Sequence, residues 1–105
     1  TPKDGPSAGI AFTCAFISCI LNKPIRNDIA MTGEIDLMGN ITKIGGLEFK
    51  LQGAKKAGVK LVFVSEENKC DIDKINKKYK RLFNDHFQIK IVKNIIDLID
   101  DILIL

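Results

Sequence analysis

Ser7 lies in a loop of small residues, Thr1-Pro2-Lys3-Asp4-Gly5-Pro6-Ser7-Ala8-Gly9, that runs straight into an apolar segment. A serine placed where a turn becomes a helix can act as a nucleophile. Gly5 and Gly9 keep bulk away from its hydroxyl, and the helix's first N–H groups can face developing negative charge. The same position is where a serine caps a helix, and the local sequence alone favours that reading. A nucleophile also needs a base. Lys50 follows Ser7 by 43 positions and falls with Leu47, Leu51, Ala54 and Ala57 on one face of a helical segment. Burial disfavours the charged form of an amine, and a neutral amine can take the proton of a serine hydroxyl. The alternative is that Lys50 lays its stem along the helix flank and keeps its ammonium in water. Spacing leaves these two readings even.

Other reactive side chains are scattered. Cys14, Cys19 and Cys70 form no CxxC pair and no zinc spacing, and an unpatterned odd count fits a reducing compartment. His86 has only Asp85 beside it and reads as a loop residue, so no metal site is expected. The net charge of +3 is mild, and no aromatic side chains interleave Lys77 and Lys78. That cluster reads as a solvated helix surface, with DNA contact only weakly signalled. No apolar run approaches the roughly 18 residues that span a bilayer.

The elements that must position Ser7 and Lys50 follow from periodicity. Residues 7–22 predict a helix apolar on most sides, and 28–35 a strand. Residues 35–44 predict a hairpin turning at Gly39-Asn40 as a II′ turn. Helix 47–57 follows Gly45-Gly46 and closes at Gly58, with Lys55 and Lys56 free to reach water. Val59 to Val64 is a near-continuous β-branched run, as in a strand covered on both faces. Glu66-Glu67-Asn68-Lys69 reads as polar loop, and Asp71 as the cap of a helix reaching Leu82. A half-buried strand over 87–92 and a final helix capped by Asn94 complete the chain, the latter with Ile95, Leu98, Ile99 and Ile102 inward. Strands alternating with helices imply one layered α/β (α+β) domain over 1–105 with some parallel pairing.

Pro2-Lys3-Asp4-Gly5-Pro6-Ser7-Ala8-Gly9 resembles the serine-bearing signature of the proteolytic domain of Lon, the ATP-dependent protease family. The resemblance continues through Met31-Thr32-Gly33-Glu34-Ile35, Ile44-Gly45-Gly46-Leu47, Lys50-Leu51 with Ala54 and Gly58, and Glu67-Asn68-Lys69. It covers most of the chain up to about Asp71, keeps the serine-to-lysine spacing, and in its loop follows the bacterial and mitochondrial branch.

The resemblance implies the ribosomal-protein-S5-domain-2-like fold of that family, with its N-terminal part absent from this sequence. It implies a serine endopeptidase using a Ser–Lys dyad, Ser7 as nucleophile and Lys50 as general base. Thr32 matches the threonine that hydrogen-bonds the lysine, and Asp4 a loop carboxylate with a conformational role. Glu48 and Phe49 stand where the family usually shows Lys and Glu; Glu48 beside the amine would work against a neutral lysine. No cofactor is expected in this domain, because ATP and Mg²⁺ belong to an ATPase module outside the sequence. The implied partners are misfolded or regulatory protein substrates and five further copies in a hexamer, with no membrane. The implied setting is protein quality control in the mitochondrial matrix or the bacterial cytoplasm, and this piece alone is expected to be inactive. The rival expectation is a non-proteolytic Lon-like domain used for ring assembly and DNA contact, as in a bacterial repair protein related to recombinases.

Overall fold

Residues 28–103 are described by a computed structural model. The loop with Asp4 and Ser7, and the helix expected over 7–22, lie outside the described residues. Within them the chain runs β1 (Ile29–Met31), β2 (Glu34–Ile35), β3 (Ile41–Thr42), α1 (Leu47–Lys56), β4 (Leu61–Ser65), a 3₁₀ turn (Glu66–Asn68), α2 (Lys69–Lys78), β5 (Gln88–Val92) and α3 (Ile95–Leu103).

The Leu-Val-Phe-Val-Ser run forms the central strand. β4 pairs in parallel with β1 on one side, Val62 opposite Ala30, and with β5 on the other, Val62 opposite Ile89. Alternation along β4 sends its side chains into two cores. Val62 and Val64 meet Leu47 and Leu51 of α1, Ile72 and Ile75 of α2, and Phe87. Phe63 packs with Ile41, Val92, and Leu98 and Ile102 of α3. The layered α/β arrangement with parallel pairing is therefore present, and β4 is covered on both faces as its composition requires.

Several expected boundaries move. The strand over 28–35 is two strands, broken at Thr32 and Gly33, because β1 stays with β4 while β2 turns away to pair with β3. The hairpin does not use a II′ turn at Gly39-Asn40. Leu37, Met38 and Gly39 form a three-residue loop, with Gly39 N donating to Asp36 O at 3.1 Å and Gly39 at φ 83°. Asp36 replaces the turn signal: its carboxylate accepts from Met38 N, Asn40 N and the Asn40 amide at 2.9, 2.9 and 3.1 Å. These bonds hold that carboxyl below the usual carboxylate range, the Asn40 backbone bond foremost.

The segment read as polar loop is structured. Ser65 Oγ accepts from Glu67 N at 3.1 Å and starts the 3₁₀ turn, which passes directly into α2. α2 therefore begins before Asp71 and ends at Lys78, not Leu82. At the other end of that stretch Lys55 does not reach for water: its Nζ donates to Leu82 O at 2.7 Å and lies 5.8 Å from the Phe87 ring centre. Asn94 caps α3 as expected, its Oδ1 accepting from Asp97 N at 2.9 Å.

Candidate active site

Thr32 follows β1 directly and is buried, with 7 % of its surface exposed. Both its donors go to one acceptor: the backbone N–H at 2.9 Å and Oγ1 at 3.2 Å meet Phe63 O of β4. With its proton committed to that carbonyl, Thr32 Oγ1 presents only lone pairs to a further neighbour. Among the described residues it makes no bond to Lys50.

Lys50 sits in the first turns of α1, its N–H donating to Gly46 O at 3.2 Å. Of the two placements that spacing left even, the one with the amine in water is found. Lys50 is exposed, and its Nζ has no hydrogen-bond or ion-pair partner among the described residues. Helix geometry supplies the reason. At 3.6 residues per turn Lys50 lies about 80° from the middle of the stripe through Leu47 and Leu51, with Lys55 about 60° away on the other flank. Leu47 and Leu51 are buried, and among the described residues only Lys55 of the two flanking lysines meets a neighbouring loop. Of the expected site residues, Thr32 stands at the end of β1 and Lys50 on α1 with no bond between them among the described residues, while Ser7 and Asp4 lie outside the described residues.

Glu48 does not attend Lys50. Its carboxylate accepts from Tyr79 OH at 2.9 Å and pairs with Lys78 Nζ at 3.3 Å. The Tyr79 bond, with help from Lys78, holds it below the usual carboxylate range against the opposing cost of desolvation. Phe49, the other unusual neighbour, is 75 % exposed. His86 is an exposed loop residue whose N–H donates to Asn84 Oδ1 at 2.7 Å. Among the described residues no three metal-ligating side chains converge, and no helix is long and apolar enough to cross a membrane.

Two fully buried polar side chains escaped the sequence reading. Ser65 Oγ donates to Ile41 O at 2.8 Å. Asn68 Oδ1 accepts from Ile44 N at 3.0 Å, while its Nδ2 donates to Ile44 O at 3.0 Å and to Asp71 Oδ2 at 2.8 Å. Glu67 Oε1 adds a bond from Lys43 N at 3.1 Å. The end of β4 thus fastens the whole connection from β3 to α1. The available signal was Asn68 and Asp71 at a three-residue offset after an apolar strand, and flanking charges made it read as solvated loop.

Residues 1–105 match the family described as the Lon protease (S16) C-terminal proteolytic domain. The chain is 58% identical over 101 residues to a Lon protease homolog of Acanthamoeba polyphaga mimivirus, an alignment covering 96% of this chain and 10% of that protein. It is 53% identical over 75 residues to the Lon protease of Escherichia coli (strain K12), covering 71% of this chain and 10% of the relative. A mitochondrial Lon protease homolog of Phaeodactylum tricornutum is 45% identical over 87 residues, 83% of this chain and 10% of the relative. The chain spans about a tenth of the length of these relatives. With a match along its full length, and with relatives of that identity, the chain belongs to the Lon protease C-terminal proteolytic domain family.

Proposed function

We propose that this chain supplies the serine endopeptidase centre of an ATP-dependent protease, with Ser7 as nucleophile and Lys50 as general base. The observation that carries this reading is the family match over residues 1–105, which takes in the serine loop and the lysine helix together. In the proposed reaction the Lys50 amine removes the proton from Ser7 Oγ as the oxygen attacks a peptide carbonyl carbon. The protonated lysine then gives that proton to the leaving amine. Water deprotonated by the same amine attacks the acyl-enzyme and frees the second product. Backbone N–H groups at the start of the helix expected after Ser7 would hold the oxyanion.

Thr32 fits the supporting role because its hydroxyl proton is already spent on Phe63 O. Its lone pairs accept an N–H of the Lys50 amine and turn the nitrogen lone pair toward Ser7. Lys50 is exposed, so the bound peptide has to displace water from its amine. Asp4 would shape the serine loop. The substrates in this reading are unfolded or damaged proteins, fed into a hexameric chamber by an ATPase module where ATP and Mg²⁺ act; the chemistry within this domain draws on no cofactor.

The test is made in the full-length protein. Ser7→Ala and Lys50→Ala should each abolish peptide hydrolysis and leave ATP hydrolysis intact. Thr32→Val should slow hydrolysis and move its alkaline optimum. Near-normal hydrolysis by Lys50→Ala overturns the reading.

A further inference from the structure

We propose that Asn68 is a positioning residue for Lys50: its buried carboxamide pins the link ahead of α1 and so sets where the first turn of that helix lies. The inference rests on the Ser–Lys reading above.

The start of α1 has no cap of its own. Gly46 occupies the N-cap position in a left-handed conformation, φ 69° and ψ 26°, and offers no side chain to the helix's free N–H groups. Besides Leu47 and Leu51 in the core, what directs the start of α1 is therefore whatever holds residues 44–46. Asn68 holds both polar groups of Ile44, accepting from its N–H and donating to its carbonyl, each at 3.0 Å. This is the reciprocal pairing that two antiparallel strands make, supplied here by one side chain. The bond from Nδ2 to Asp71 Oδ2 at 2.8 Å fixes which way the amide faces. Rotating the amide by half a turn would set its oxygen against both the Asp71 carboxylate and the Ile44 carbonyl. Asn68 is 0 % exposed, so water does not compete for these bonds.

Lys50 lies one helical turn beyond the pinned link, through its bond to Gly46 O. The residue proposed to orient its amine is pinned from the same segment, because Phe63 O takes both donors of Thr32. Phe63 and Asn68 stand five positions apart on β4 and the 3₁₀ turn that continues it. One rigid stretch therefore sets the separation between Thr32 and the backbone of Lys50. A base moved by about 1 Å from its productive place can cost on the order of 100-fold in rate.

Asn68→Asp keeps the volume and the acceptor but replaces the donor to Ile44 O and Asp71 with a second oxygen. In the full-length protein, kcat for a fluorogenic peptide should fall by roughly 10- to 100-fold, with KM within about twofold of wild type. ATP hydrolysis by the same preparation should be unchanged. A folded Asn68→Asp protein with wild-type kcat overturns the proposal. So does a loss that sits in KM, or one matched by an equal loss of ATP hydrolysis, since either marks a general structural role. If Asn68→Asp fails to fold, amide exchange in the wild type decides. Ile44 N–H should exchange as slowly as the β4 amides, and exchange at the rate of an open loop overturns the pinning. Lys50→Ala is assayed in parallel. Hydrolysis surviving in that variant removes the Ser–Lys reading itself. An inert Lys50→Ala beside a fully active Asn68→Asp removes only the role of Asn68.

Discussion

Glu48 and Lys50 are two positions apart on α1, a spacing at which side chains point in different directions. Glu48 faces α2, where Tyr79 and Lys78 hold it, and it leaves Lys50 without a carboxylate among the described residues. The pH dependence of this contact has a definite sign. Glu48 titrates below its ordinary value, chiefly through the Tyr79 bond, so its contribution is present above the unfolded carboxylate range. It is lost as pH falls through the folded value. Lys78 titrates above its ordinary value, chiefly through its bond to Glu48, so its contribution is full below the unfolded lysine range and fades as pH rises through the folded one. Tyr79→Phe should therefore lose less stability than wild type on acidification, measured as denaturant midpoints from neutral to acid pH. Parallel curves would show that Tyr79 does not hold Glu48 in solution. At this scale the sequence was half readable. Periodicity put Lys50 near the apolar stripe of α1, but a stripe defined by two leucines and small alanines is narrow, and a lysine at its edge stays wet.

Each helix end has a different chemical origin, and that decides how well it could be foreseen. α1 closes at Gly58 with Gly58 N on Lys55 O at 3.2 Å and Val59 N on Ala54 O at 3.1 Å, a Schellman arrangement that a glycine after an apolar helix announces. α3 opens on Asn94, also announced by residue type and position. α2 was misplaced because its start is set by Ser65, a strand residue whose hydroxyl bridges Ile41 O and Glu67 N across 24 positions of sequence. No local pattern carries that. Asn94→Ala should cost about 1 kcal/mol by removing the acceptor for Asp97 N, with Asn94→Ser restoring most of it. Equilibrium unfolding checks this, and an Asn94→Ala midpoint equal to wild type would mean the cap is redundant with the bond from Ile95 N to Gly39 O at 2.8 Å.

At the scale of the described domain, β4 divides the interior into two cores, of which only the one under α1 adjoins the proposed base. Leu51 is fully buried on the α1 side and Leu98 is 1 % exposed on the α3 side. Leu51→Ala and Leu98→Ala should each cost roughly 2–5 kcal/mol, by lost transfer energy and the cavity left behind. Only Leu51→Ala should also slow peptide hydrolysis at temperatures where both variants are folded, because only α1 carries Lys50. Equal losses of activity would show that the two cores are not separable. The α/β class, the central strand and most inward residues were readable, since hydrophobic period and strand–helix alternation are local properties. The bonds that tie Thr32 to β4 and the link ahead of α1 to Asn68 were not, because they join residues 24 to 31 positions apart. That order along the chain has a consequence for biosynthesis. Thr32 and Lys50 are translated before Phe63, Ser65 and Asn68, the residues that hold them in place. A nascent chain that has emerged only through α1 carries Thr32 and Lys50 without the Phe63 carbonyl and the Asn68 carboxamide that fix Thr32 and the link ahead of α1. On the proposed reading, the centre would stay unassembled until the strand behind it leaves the ribosome, and a half-made protease would not act on its neighbours.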